Sequence, residues 1–161
     1  MQSSGNRLAT WNKFADRFFC DLGLETHPNP AIHGTAGSGV FLSMKTLVLG
    51  ASTNEDRYAN KAVRKLVENN HEVVAVGRVA GSIGDVPIET GQPMIAVVDT
   101  VTLYIGPRFH SEISDYVVKL SPRRVIFNPG TENPEFQQLL ESKGIVVEEA
   151  CTLVLLTTGQ F

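Results

Sequence analysis

Four short stretches join glycine to hydroxyl, amide or cationic side chains: Gly50-Ala-Ser-Thr-Asn54, Gly77-Arg78, Tyr104-Ile-Gly-Pro107 and Asn128-Pro-Gly-Thr131. The first has the make-up of a phosphate-binding turn. Glycine lets the backbone approach an anion, and a helix that follows offers unpaired N–H groups at its positive dipole end. Arg57, Lys61 and Lys65 come next at four-residue steps, a basic row along one side of such a helix. That row suits a ligand with several phosphates, with Arg57 the strongest candidate and Lys65 read as a solvated surface charge.

The glycine pattern is not the dinucleotide fingerprint. The GxGxxG positions are filled by Gly50, Ser52 and Glu55, and no GKS or GKT is present. After a second strand, a NAD enzyme needs a carboxylate for the ribose hydroxyls; here the place is held by Gly77-Arg78. A guanidinium grips phosphate bidentately, so Arg78 favours a phosphorylated ribose such as that of NADP or coenzyme A and disfavours NAD. Catalytic groupings are thin. The four histidines (His27, His33, His71, His110) make no metal spacing and read as surface residues. Asp56, Glu132, Glu148 and Glu149 cannot be paired across a site, and Glu132 reads as a solvated cap at a helix start. Cys151 precedes Thr-Leu-Val-Leu-Leu and reads as buried packing rather than as a nucleophile. No catalytic or metal-binding residue is assigned.

The 161 residues carry 14 Lys+Arg against 17 Asp+Glu, a formal charge of −3, and 42% are apolar. One domain of that size buries its own core. A weakly acidic chain lacks the basic surplus that nucleic acid or an anionic membrane demands, and no apolar run approaches the roughly eighteen residues of a bilayer span. Cys20 and Cys151 form no paired motif, which suits a reducing compartment and places the protein in the cytoplasm. Nothing in the pattern decides whether it forms a homo-oligomer.

Residues 1–43 and 44–161 differ in texture. The first part holds Trp11, Phe14, Ala15, Phe18, Phe19 and Leu22 at helical spacing, then a Pro/Gly-rich stretch that breaks any order. It is read as an upstream extension or mis-assigned start, or else as a docking helix; a secretory signal or transit peptide fits poorly because acids interrupt it. From Met44 the periods become regular. Thr46–Gly50, Glu72–Gly77, Asp99–Ile105, Arg124–Phe127 and Ile145–Glu148 read as strands. Helical faces fall at Ala59, Ala62, Val63, Leu66 and Val67, at Phe109, Ile113, Tyr116, Val117 and Leu120, and at Phe136, Leu139 and Leu140. Asn133-Pro134 starts the last of these and Gly144 stops it. Residues 78–93 read as loop with a short edge ribbon at Val86–Glu89, and Cys151–Leu156 as a terminal helix or strand. Five strands alternating with helices predict a doubly wound α/β domain, a parallel sheet between two helical layers. Ligands then bind beyond the carboxyl ends of the strands, where all four stretches above fall.

Several ordered motifs together carry a resemblance: Lys45-Thr-Leu-Val-Leu-Gly-Ala-Ser52, Arg57-Tyr-Ala-Asn60, the Val86-Pro-Ile segment, Asp99-Thr-Val-Thr-Leu-Tyr104, Val125 through Phe136, and Glu148-Glu-Ala-Cys-Thr-Leu153. From Met44 to Phe161 the chain resembles the small single-domain CoA-binding proteins, themselves similar to the CoA-binding domain of the succinyl-CoA synthetase α subunit. The resemblance implies a Rossmann-like five-stranded core holding coenzyme A or an acyl-CoA. By position, Gly50, Ala51 and Ser52 would face the pyrophosphate, with Arg57 close by and Asn60 and Lys61 at the helix entrance. Gly77 and Arg78 would border the adenosine and its 3′-phosphate. Tyr104 and Ile105 would form one wall, and Asn128 with Gly130 the other. The synthetases add a phosphorylated histidine and a second, nucleotide-grasping domain for which this chain has no room, so binding without ligation is expected. An NADP-dependent oxidoreductase and a metabolite-sensing scaffold stay open as alternatives.

Overall fold

The computed structural model describes residues 45–161; the helical pattern at Trp11–Leu22 and the boundary at 43/44 lie outside them. Lys45–Ala51 (β1), Tyr58–Glu68 (α1) and Glu72–Gly77 (β2) form the first βαβ unit. Gly81–Ile83 (β3) and Val86–Thr90 (β4) follow, then Val98–Leu103 (β5). A 3-10 turn at Pro107–Phe109 leads into His110–Leu120 (α2). Arg124–Phe127 (β6), Pro134–Ser142 (α3), Val146–Glu149 (β7) and Thr152–Thr158 (α4) complete the described chain.

The strands form one sheet in the order β3-β4-β2-β1-β5-β6-β7. Only the β3–β4 pair is antiparallel. Beyond β3, the order reverses between β1 and β5, which makes their carboxyl ends the switch point of a Rossmann-like sheet. The expected five strands are corrected to seven. The ribbon read at Val86–Glu89 is β4, and it is not an edge, because it lies between β2 and the three-residue β3. No crossover helix joins β2 to β4; residues 78–85 return as β3 instead. Pro87 lies within this strand. Its missing N–H is tolerated because the β2 ladder begins one residue later, at Ala75 opposite Ile88.

Apolar side chains alternate across the sheet and bury both faces, as the uninterrupted apolar runs require. Leu47, Leu49, Val101, Leu103, Val125 and Phe127 pack with Tyr116 and Val117 of α2 and Phe136 and Leu140 of α3. Val48, Ala75 and Ile88 pack on the other side with Ala59, Val63 and Leu66 of α1 and Leu156 of α4. Val67, read as part of the α1 buried face, is instead 47% exposed; the helix stripe is narrower than its apolar run. The α3 start is as read, with Asn133 Oδ1 accepting from Phe136 N at 3.2 Å and Pro134 in the first turn. Gly144, at φ +77°, lies just past the helix end, where it sends the chain back toward β7. The terminal segment is a helix, and among the described residues no helix is long and apolar enough to cross a membrane.

Two polar ties hold opposite ends of the sheet. Near the amino ends, Arg123 grips Asp99 at 2.8 and 3.0 Å. The Arg123 hydrogen bond holds the Asp99 carboxyl below its ordinary 3.8. At the carboxyl ends, Asn128 is buried at the close of β6. Its Nδ2 donates to Thr102 Oγ1 at 2.7 Å and to Leu103 O at 3.0 Å, and its Oδ1 accepts from Thr152 N at 2.8 Å. Thr102 and Thr152 add a hydroxyl pair at 2.7 Å. Asn128→Ala should cost about 2–3 kcal/mol in urea unfolding, because it strands the buried Thr152 N–H and removes the amide donor from Leu103 O and Thr102 Oγ1. Asp99 gives a pH test with a definite sign. A lowered folded-state pKa contributes stability that is complete above the unfolded value and is lost as pH falls through the folded one. The stability gap between wild type and Asp99→Asn should therefore be full at neutral pH and shrink in acid below about pH 4.

Candidate functional site

β2, β1, β5 and β6 are neighbours in the sheet, so the four loops singled out by sequence stand side by side on its carboxyl rim. The first is built by crowding. Gly50 has φ +100°, and a Cβ there would lie 2.8 Å from the carbonyl carbon and oxygen of Tyr104. Tyr104 N donates to Leu49 O at 2.8 Å. The close approach that Gly50 makes is thus to the β5 loop. Gly77 serves the same end on the other flank, where an added Cβ would strike the Ala51 carbonyl oxygen. Ala51 itself is buried and ends β1.

The turn beyond Ala51 satisfies many of its own polar groups. Ser52 Oγ accepts from Asn54 N at 3.2 Å, Asn54 Oδ1 from Asp56 N at 2.9 Å, and Asn54 O from Arg57 N at 3.2 Å. Asn60 is 1% exposed and spans the turn: its Nδ2 donates to Ser52 O at 2.9 Å and its Oδ1 accepts from Arg64 Nε at 2.9 Å. Asn60 and Asn128 therefore shape the rim from beneath, with their amides committed inside the fold. Gly130, exposed at φ +88°, gives its N–H to Glu132 Oε2 at 2.8 Å. Glu132 caps this turn, and the helix cap is Asn133.

The cations divide into bound and free. Arg64 pairs with Glu55 at 2.7 Å and Lys65 with Glu68 at 3.2 Å. Arg57, Lys61, Arg78 and Arg108 make no ion pair among the described residues. Lys61 lies 5.5 Å from the Tyr58 ring centroid. Arg78 and Arg108 both stack on Phe109, at 5.4 and 4.6 Å. β2 and β5 are separated by β1, so their ends stand about 10 Å apart; the Arg78–Phe109 contact must reach across the end of β1. The sequence reading did not single out Arg108 and took Phe109 for the buried face of α2, whereas Phe109 is only partly buried. Only the 3-10 turn before α2 swings both toward Arg78.

α1 begins without a side-chain cap, and no acid lies in its first turn. The starts of α2 and α3 carry Glu112 and Glu135. The other candidates fall into structural roles. Tyr104 is partly buried, and burial pushes the pKa of its hydroxyl up to about 12. The Ile105 carbonyl accepts from His110 Nε2 at 2.9 Å. His110, read as a surface residue, is only 1% exposed, and burial lowers its pKa against the opposing pull of that carbonyl. Glu148 pairs with Arg124 at 3.2 Å, and Glu149 accepts from Gln137. Cys151 is free and half-buried at the start of α4. No cluster of three or more His, Cys, Asp or Glu side chains suited to a metal occurs among the described residues.

Known proteins agree with this architecture. A solved structure of an uncharacterised protein is 45% identical, with 73% of this chain and 98% of that chain covered and a TM-score of 0.72. The structure of cell-free ID.343 from Thermus thermophilus is 27% identical, covering 74% and 91% at a TM-score of 0.64. A hypothetical protein from Pyrococcus horikoshii OT3, at 23% identity, 70% and 81% coverage and a TM-score of 0.62, shares the fold. No curated protein matches. The family described as CoA binding domain matches residues 44–157, most of the chain including every rim loop, and the protein belongs to that family.

Proposed function

We propose that the carboxyl rim binds coenzyme A or an acyl-CoA and that the protein carries this ligand without ligating it. The observation that bears the reading is the set of unpaired cations. Arg57 and Arg78 stand on the loops after β1 and β2 and Lys61 in the first turn of α1, with no ion pair to a carboxylate among the described residues. A ligand with a pyrophosphate and a ribose phosphate needs such a distribution, and charge-assisted contacts to phosphate are the strong ones. The α1 start, uncapped and free of acids, adds a favourable dipole end for the pyrophosphate. Since the amides of Asn54, Asp56 and Arg57 are engaged within the turn, side-chain cations carry more of the phosphate contact than in a glycine-rich loop.

Roles follow from place. Arg57 and Lys61 sit at the α1 start and meet the pyrophosphate, while Gly50, Ala51 and Ser52 supply the turn beneath it. Arg78, at the end of β2, meets the phosphate on the ribose, and Phe109 offers a ring beside the adenosine. Tyr104 and Ile105, together with Asn128 and Gly130, wall the path toward β6.

Calorimetric titration of the full chain with CoA, acetyl-CoA, NADP and NAD tests the reading. CoA or its thioester should give saturable heat; response to a nicotinamide dinucleotide alone would overturn it. Arg57→Ala should weaken CoA binding about tenfold, the loss expected for one charge-assisted phosphate contact. Lys65→Ala should leave it unchanged, because Lys65 is already held by Glu68. Equal losses would remove the α1 start from the phosphate site.

A further inference from the structure

The 3-10 turn at Pro107–Phe109 is three residues long and has no side-chain cap at its start. Phe109 N donates to Gly106 O at 3.0 Å, and Pro107 and Arg108 are exposed. The side chain that closes this segment is that of His110. It reaches back five residues, and its Nε2 lies 2.9 Å from Ile105 O. A carbonyl oxygen only accepts, so Nε2 carries the ring proton.

A histidine at this place has a cost. The ring is buried and meets Phe127 and Phe136 edge-on at 5.9 and 5.2 Å, a setting that a phenylalanine would fill equally well. With the proton on Nε2, the neutral ring leaves Nδ1 as a bare acceptor, buried and without a hydrogen-bond partner. Such atoms are costly and rare in a native fold. Packing alone therefore favours phenylalanine, and what phenylalanine lacks is the Nε2 donor. The hydrogen bond to Ile105 is the property that accounts for the histidine.

The turn held in this way presents charge. Arg108 and Arg78 stack on the Phe109 ring at 4.6 and 5.4 Å, and neither makes an ion pair among the described residues. Arg78 comes from the end of β2 and Arg108 from beyond the end of β5, so the placement of the turn decides whether the two guanidiniums gather on one ring. Like charges held close repel, and a phosphate dianion beside both relieves that repulsion.

We infer that His110 is a positioning residue: its hydrogen bond to Ile105 O fixes the turn so that Arg108 joins Arg78 at a single phosphate, the one on the ribose. The inference rests on the CoA reading of the rim, in which Arg78 meets that phosphate, and it adds Arg108 as the second cation. His110 itself touches no ligand. A buried ring thus sets how strongly the protein prefers a phosphorylated ribose to a bare one.

Calorimetric titration of the full chain with CoA and with dephospho-CoA, which lacks only the ribose phosphate, tests this. Wild type should bind CoA at least about tenfold more tightly than dephospho-CoA. Arg108→Ala, at an exposed position, should weaken CoA about tenfold and leave dephospho-CoA unchanged. His110→Phe keeps the packing and loses the donor, so it should show the same selective loss with an unchanged urea midpoint. His110→Gln restores a donor at the Nε2 position and should recover CoA binding. Three results would each overturn the inference while CoA binding stands: equal affinity of wild type for the two ligands, CoA binding unaltered by Arg108→Ala, or a His110→Phe chain that loses both ligands alike. A His110→Gln chain that binds CoA no better than His110→Phe overturns it too. Should the His110 variants fail to fold, the Arg108→Ala comparison decides alone. If CoA does not bind wild type, the rim reading and this inference fall together.

Discussion

The rim depends on one buried side chain amide. Asn128 uses both Nδ2 hydrogens and its Oδ1 to join the end of β6 to Thr102 and Leu103 of β5 and to the first amide of α4. Parallel strands come from distant parts of a chain, and ladder bonds stop where strands diverge into loops. Beyond that point the spacing of the loops must be set by side chains. Asn128 does this for β5, β6 and α4 at once. With its donors and acceptor all used inside, it is a fixed strut.

The same economy governs the β1 side. Gly50 and Gly77 lack side chains because backbone from Tyr104 and Ala51 occupies the space, and Asn60 ties α1 to the Ser52 carbonyl. What these contacts leave unsatisfied is charge. Arg57 and Arg78 follow β1 and β2, Lys61 lies in the first turn of α1 and Arg108 in the 3-10 turn, and none of them makes an ion pair among the described residues. A polyphosphate ligand fits that imbalance, and the CoA binding domain family supplies its chemical class.

Much of the fold was legible in the sequence because parallel strands buried on both faces read as unbroken apolar runs, as Leu47–Leu49 and Val125–Phe127 do. Asn133-Pro134 and Gly144 marked α3 for local reasons that need no tertiary context. β3 was missed because three residues carry no period, and Val86–Glu89 was read as an edge because the strand that covers it was not seen. Phe109 and His110 were misplaced for a related reason: a 3-10 turn shifts the helical phase by one position, exchanging which of them faces the core.

The site divides along the same line. Sequence by itself determined which loops form the rim and that Arg57, Lys61 and Arg78 lie on or next to them, since topology and residue type suffice for both. Only the tertiary structure decided which polar groups are spent. Asn60 and Asn128 hold the scaffold, Lys65 is neutralised by Glu68, and Arg108 with Phe109 joins Arg78 across β1. A hydrogen-bond donor or acceptor is free or committed according to its neighbours in space, and those neighbours lie up to 50 residues apart in the chain.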